Sequence, residues 1–135
     1  MYSNILVPVA PDHGQETERS MAVARKLLAP GGRITVFTVI EEIPSYVAQY
    51  LPANQADLNR REMEDTLRGE FGGADDVSVM VRNGHAAQAI LDAAEQKGHD
   101  CIIIASHRPG LQDYFLGSTA ARVVRHAMTA VHVLR

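Results

Sequence analysis

Short runs of valine and isoleucine alternate with amphipathic stretches along this chain. The apolar runs lie at Asn4 to Val9, Arg33 to Ile40, Val77 to Val81, Cys101 to Ala105 and Ala130 to Leu134. They are nearly continuous in apolar residues, as strands covered on both faces of a parallel sheet are. Between the first two, Met21, Ala24, Leu27 and Leu28 recur at helical spacing, and the Pro30-Gly31-Gly32 run is expected to end that helix. A second helix is expected from about Asn54 to Glu70, on the outside, because only Met63, Leu67 and Phe71 are well spaced and the rest is charged. Ala87, Ile90, Leu91 and Ala94 mark a third, which Gly98 stops, and a fourth opens at Gly117, Ser118 and Thr119. Strands alternating with helices predict βαβ units, hence an α/β fold with an open, doubly wound, five-stranded parallel sheet and four helices. No repeat or low-complexity segment interrupts the pattern.

Ligands of such sheets sit beyond the carboxyl ends of the strands, where the strand order reverses. If the chain starts in the middle of the sheet and returns to the other side for its fourth strand, the crevice lies between strands one and four. The loops bordering it are then Pro8 to Gly14 and Ala105 to Ser118. The one long connection, Glu41 to Pro52, carries Tyr46 and Tyr50. Two readings stand side by side: a stiffened crossover whose tyrosines pack on the second helix, or a flap over a ligand or partner.

With 135 residues the chain holds one well-buried core and is too short for two ordinary domains, so residues 1–135 are expected to form one domain. An apolar fraction of 46% and a charged fraction of 21% are those of a globular protein, and a formal charge of −3 argues against a nucleic-acid partner. No segment has the length to span a bilayer, and the N-terminus enters an apolar strand without a basic region or cleavage site, so a membrane is not expected and the cytoplasm is the default compartment. Cys101 is the only cysteine, which removes intrachain disulfides and cysteine metal clusters. The six histidines show no metal-ligand spacing, and no metal site is assigned.

The candidate chemistry lies in the last third, where a strand runs into a glycine-bearing loop and then a helix start. First-turn amides lack intrahelical partners and carry the positive end of the helix dipole, so a phosphate can be held there by main chain. The first turn after strand one has no G-x-G-x-x-G, and no G-x-x-x-x-G-K-[ST] occurs anywhere, which excludes the dinucleotide fingerprint and the P-loop. What remains is a cradle in which Gly110 and Gly117 let main chain approach, Ser118 and Thr119 add hydroxyls, and Arg108 or His107 adds a polar contact. The plain alternative is that Gly117-Ser118 only caps a helix. Arg108 has its own alternative in a surface pair with Asp12 or Asp113. Pro8 and Val9 read as strand-end residues that contact a ligand only through main chain, and Gly84 as a turn glycine or a ribose contact. Arg122, Arg125 and His126 form a polar helix face, and His132 faces outward or into a dimer seam.

These residues bring a family into view. SHRPG followed by YFLGSTAARVVRHA, with the opening ILVPV, the Gly84-His85 turn and the closing VHVLR, resembles the ATP-binding, single-domain branch of the universal stress proteins over nearly the whole length. The resemblance implies a Rossmann-like, adenine nucleotide alpha hydrolase-like sheet ordered 3-2-1-4-5. It implies an adenine pocket at Pro8, Val9 and Ala10 with main-chain hydrogen bonds from Val39, and phosphates on Ala105, Ser106, His107, Arg108, Gly110, Gly117, Ser118 and Thr119. It also implies homodimers joined through the last strand, which as an uncovered edge invites a second copy, and leaves higher oligomers open. Two positions depart from the family pattern: Ala105 and Arg108 replace two loop glycines, and Ala10 stands where aspartate is common. The second leaves dependence on Mg2+ open, with Asp12 as the nearby substitute.

Glycines and hydroxyls hold a phosphate but do not activate water, so the first reading is an ATP-binding stress regulator or binding module with little or no hydrolysis, and no catalytic residue is assigned. The enzyme reading is an ATP-using hydrolase or transferase on the same crevice, with Asp12 or Asp113 placing a metal. The third is a dimeric stress protein that has lost nucleotide binding.

Overall fold

The computed structural model of the chain describes residues 1–11, 14–106 and 116–135. Its elements are β1 (Tyr2–Pro8), α1 (Gln15–Leu27), β2 (Leu28–Glu41), α2 (Ser45–Ala48), α3 (Gln55–Phe71), β3 (Val77–Gly84), α4 (Ala86–Gln96), β4 (Cys101–Ala105), α5 (Ser118–His126) and β5 (Ala130–Leu134). The strands form one parallel sheet in the order β3-β2-β1-β4-β5. That is the expected order, with the reversal between β1 and β4.

The two faces of the sheet explain the near-continuous apolar runs. Ile5, Val7, Ile34, Val36, Cys101 and Ile103 are buried on one face with Ala24 of α1, and Leu27 and Phe71 pack against them. Leu6, Phe37, Val39, Ile102 and Ile104 are buried on the other with Ile90 of α4 and Ala120 and Val123 of α5. Successive side chains of one strand thus enter opposite cores. Cys101 is fully buried, and burial pushes its thiol up to about 11, so it behaves as a small core residue and not as a nucleophile.

Three expectations change. The Pro30-Gly31-Gly32 run does not terminate α1, which already ends at Leu27; it lies inside β2. The register jumps there from Tyr2↔Leu28 to Asn4↔Arg33, and the positive φ of Gly31, 79°, provides the backbone for that bulge. The Glu41 to Pro52 connection contains the short helix α2, and its tyrosines do not pack on α3: Tyr46 is 71% and Tyr50 82% exposed. Finally, Gly84 is the last residue of β3, paired with Glu41, with a φ of 149° that suits glycine.

Helix α3 forms despite one fully buried residue, Leu67. Arg60 joins Asp57 and Glu64, each at 2.7 Å, and Arg61 adds a bond to Asp57, so ion pairs one turn apart support a helix that contributes little to the core. The Arg60 hydrogen bond and the Arg61 charge together hold the Asp57 carboxyl below its ordinary range.

Candidate functional site

Hydrogen-bond parity in the sheet determines which main-chain groups face the reversal point. The Val9 N–H donates to the Phe37 carbonyl at 2.8 Å, so the polar groups of Val7 and Val9 face β2 and those of Leu6 and Pro8 face β4. Pro8 has no N–H to offer the Ile103 carbonyl. The β1–β4 ladder accordingly stops at Ile5↔Cys101 and Leu6↔Ile102, although β1 pairs with β2 as far as Pro8↔Phe37. A proline at the tip of the central strand is what parts β1 from β4 and opens the crevice.

The same parity turns main-chain groups toward that opening. Phe37 presents its carbonyl to β1, so Val39, two residues on, presents its N–H and C=O to the same side, beyond the end of the pairing. Its side chain is buried on the α4 face. Across the gap, Ser106 donates its N–H to Leu134 of β5 at 2.7 Å, which leaves the main-chain groups of Ala105 directed at β1. The hydroxyl of Thr38 donates to the Val9 carbonyl at 3.0 Å and fixes the tip of β1.

The start of α5 is tethered to this place. The Gly117 N–H donates to the Ser106 carbonyl, which places Gly117 at the carboxyl end of β4. Gly117 is the N-cap of α5, and among the described residues no side chain caps the helix. The cap alternative that assigned Ser118 this task therefore does not describe the helix: Ser118 is its first residue, exposed, with Thr119 half-buried behind it. First-turn amides without a side-chain cap are where an anion is favoured.

Pro8, Val9, Ala10, Val39, Ala105, Ser106, Gly117, Ser118 and Thr119 thus lie on segments that converge on the β1–β4 opening. Gly84 does not join them, since β2 separates the end of β3 from β1. There the Glu41 carboxylate accepts from the Ala86 N–H at 3.3 Å and lies 3.6 Å from His85, so the amino end of α4 already has an internal anion. His107, Arg108, Gly110, Asp12 and Asp113 lie outside the described residues.

Two arginines that the sequence reading passed over stand near the opening. Arg19 of α1 and Arg135 line a cavity of about 20 Å³ with Glu16, Ala105, Ser106 and Leu134, room for about one water. Helical spacing behind β1 was the available signal for Arg19, because the first two turns of α1 pass the carboxyl ends of the strands. A wider groove runs between α1 and α3, along Gly14, Thr17, Met63 and Phe71. Among the described residues there is no group of three His, Cys, Asp or Glu side chains placed to hold a metal, and no helix long and apolar enough to cross a membrane.

Known proteins share both the sequence and this architecture. Universal stress protein G of Salmonella typhimurium is 26% identical over the full length of both chains. Universal stress protein A homolog 2 of Coxiella burnetii is 29% identical over 99% of this chain and 95% of its own. Among solved structures, UspA from Lactobacillus plantarum superposes with a TM-score of 0.75 at 23% identity, covering 99% of this chain and 98% of its own. A universal stress protein in complex with cAMP has a TM-score of 0.63 at 22% identity, covering 99% and 97%. These structural likenesses establish the fold. The sequence matches the Universal stress protein family along residues 1–135, and the chain belongs to that family.

Proposed function

We propose that this chain is an adenine-nucleotide-binding stress protein, with ATP as its ligand, that acts as a nucleotide-responsive regulator or binding module with little or no hydrolysis. One observation carries the reading: the first turn of α5, which no described side chain caps, is tied by Gly117 to the carboxyl end of β4, beside the gap that Pro8 opens. The base enters at Pro8, Val9 and Ala10 and bonds the main chain of Val39. The phosphates lie along Ala105, Ser106 and the amides and hydroxyls of Ser118 and Thr119, and His107, Arg108 and Gly110 are proposed as further contacts. The relative solved with cAMP supports an adenine ligand for the fold.

A nucleotide triphosphate fits this donor set because main-chain amides, hydroxyls and nearby arginines are what phosphate oxygens bond. A metal fits it less well. Ala10 has no ligand atom in its side chain, and the described residues gather no carboxylate cluster, so no residue is assigned to Mg2+ and no step depends on it. The outward main-chain groups of Val131 and Val133 on β5 are left as a sheet edge for a second copy of the chain. Sedimentation of the purified chain as a monomer at micromolar concentration would refute the dimer.

Small molecules released by acid from the purified protein should include ATP, and added ATP should raise the unfolding temperature. Release of ADP or AMP would indicate turnover and favour the hydrolase. An empty protein with no thermal shift would favour the reading in which nucleotide binding has been lost. A second expectation follows from the parting of the strands. Pro8→Ala restores an N–H opposite Ile103, lets the β1–β4 ladder grow, and should weaken ATP binding by about tenfold, roughly 1.4 kcal/mol, without loss of stability. Unchanged titration calorimetry for this variant would show that Pro8 does not set the opening.

A further inference from the structure

His99 stands where α4 turns into β4 and is only 7% exposed. Its main-chain N–H donates to the Ala94 carbonyl at 2.9 Å, and its carbonyl accepts from the Thr129 hydroxyl at 3.3 Å. One residue thus ties the end of α4 to the turn that starts β5. Within its ring, Nδ1 is buried and has no hydrogen-bond partner among the described residues. A buried polar atom without a partner is an exception that calls for an account.

The ring's surroundings favour its neutral form. Burial pushes its pKa below the ordinary 6.5, while the Ala93 and Ala94 carbonyls from α4 and the charge of Asp100 at the start of β4 offset only part of this. Asp100 is already committed to Ser3 and Asn4 through three hydrogen bonds. The turn before β5 contributes the Thr129 hydroxyl, and Arg125 and His126 at the end of α5 are exposed. As a neutral ring, His99 carries one N–H, and with that proton on Nε2 its Nδ1 is only an unused acceptor. Protonated, it becomes a charged donor in a buried place, which is far more costly.

We propose that His99 is an acid-sensitive latch for the edge strand: protonation at Nδ1 drives the ring from its site, loosens the 97–100 turn and releases β5 from β4. The strand is suited to this because it has five residues and, within the chain, β4 is its one neighbour in the sheet. The closed state keeps its full advantage above the ordinary histidine value of 6.5. Its advantage falls as the pH drops below that value, because the open state then binds the extra proton. The opening constant rises by up to about tenfold per pH unit until the folded ring itself titrates. The device does not depend on the proposed nucleotide reading, although the strand it releases carries the Leu134 carbonyl that bonds Ser106.

Native-state hydrogen exchange on the full chain at pH 7.5, 6.5 and 5.5 tests this in wild type, His99→Leu and His99→Gln. The amides to follow are His132 and Leu134, whose main-chain groups face β4. After correction for intrinsic exchange, their opening constant should rise about tenfold from pH 7.5 to 5.5 in wild type and stay flat in both variants. Only the slope is compared, so a general loss of stability in a variant does not confuse the result, and the histidines common to all three proteins cancel. Equal slopes in the three proteins would overturn the latch. So would a His99 ring that titrates by NMR at its ordinary value with β5 still protected.

Discussion

Gly117→Val is expected to lower ATP affinity by at least about 100-fold, roughly 2.7 kcal/mol, while shifting the unfolding temperature by less than about 2 °C. The backbone at Gly117 has φ −58° and ψ 154°, a conformation that valine adopts without strain. Glycine is therefore not required there by the chain's own geometry. The N–H that bonds Ser106 survives the substitution, so the tether between β4 and α5 remains. What changes is the space beside the first turn of α5, where, on the proposed reading, a branched side chain would occupy the position of a phosphate oxygen. Titration calorimetry with ATP, run beside thermal melts of the unliganded proteins, separates the two effects. A valine variant that melts normally and binds ATP normally would remove the start of α5 from the site.

Much of this architecture was legible because each parallel strand is buried on both faces. Ile102, Ile103 and Ile104 read as strand without any alternation, since Ile102 and Ile104 enter one core and Ile103 the other. The strand order was not legible in the periodicity and came from the resemblance, whose residues are local motifs. The Pro30-Gly31-Gly32 run misled because turn chemistry in a sequence looks the same whether it ends a helix or makes a bulge within a strand. Tyr46 and Tyr50 left two readings open because burial depends on which surface a loop reaches, and their own sequence does not contain that. Pro8 was read as a strand-end residue, and its role in stopping the β1–β4 ladder required knowing which neighbour its missing N–H would have faced. The candidate site was legible as a set of segments: strand tips and a glycine at a helix start. The internal anion at α4, from Glu41, was not, since Glu41 and Ala86 are brought together only by β2–β3 pairing.

Asp100→Ala should destabilise the fold by about 1.5–3 kcal/mol at pH 7, with partial solvation of the carboxylate holding the effect to the lower half of that range. At about 2 kcal/mol the melting temperature falls by roughly 5 °C or more. The carboxylate accepts the N–H groups of Ser3 at 2.9 Å and Asn4 at 3.0 Å and the Ser3 hydroxyl at 3.1 Å. In return the Asp100 N–H donates to Asn4 at 2.9 Å, and the Asn4 side chain donates to the Lys97 carbonyl at 3.0 Å. This clamp joins the amino ends of β1 and β4, opposite the end at which Pro8 lets them part. Desolvation, the largest single influence on the carboxyl, pushes its pKa up, but the bonds from Ser3 and Asn4 outweigh it and hold it below the ordinary 3.8. A depressed carboxyl stabilises the fold above its unfolded value, and that contribution is lost as the pH falls through the folded one. The gap between wild type and Asp100→Ala in chemical denaturation should therefore be steady from pH 7 to about 5 and close below about 4. No gap at pH 7 would show that the Asp100 clamp adds no net stability, and a gap that closed already near pH 6 would show that a group other than the Asp100 carboxyl carries it.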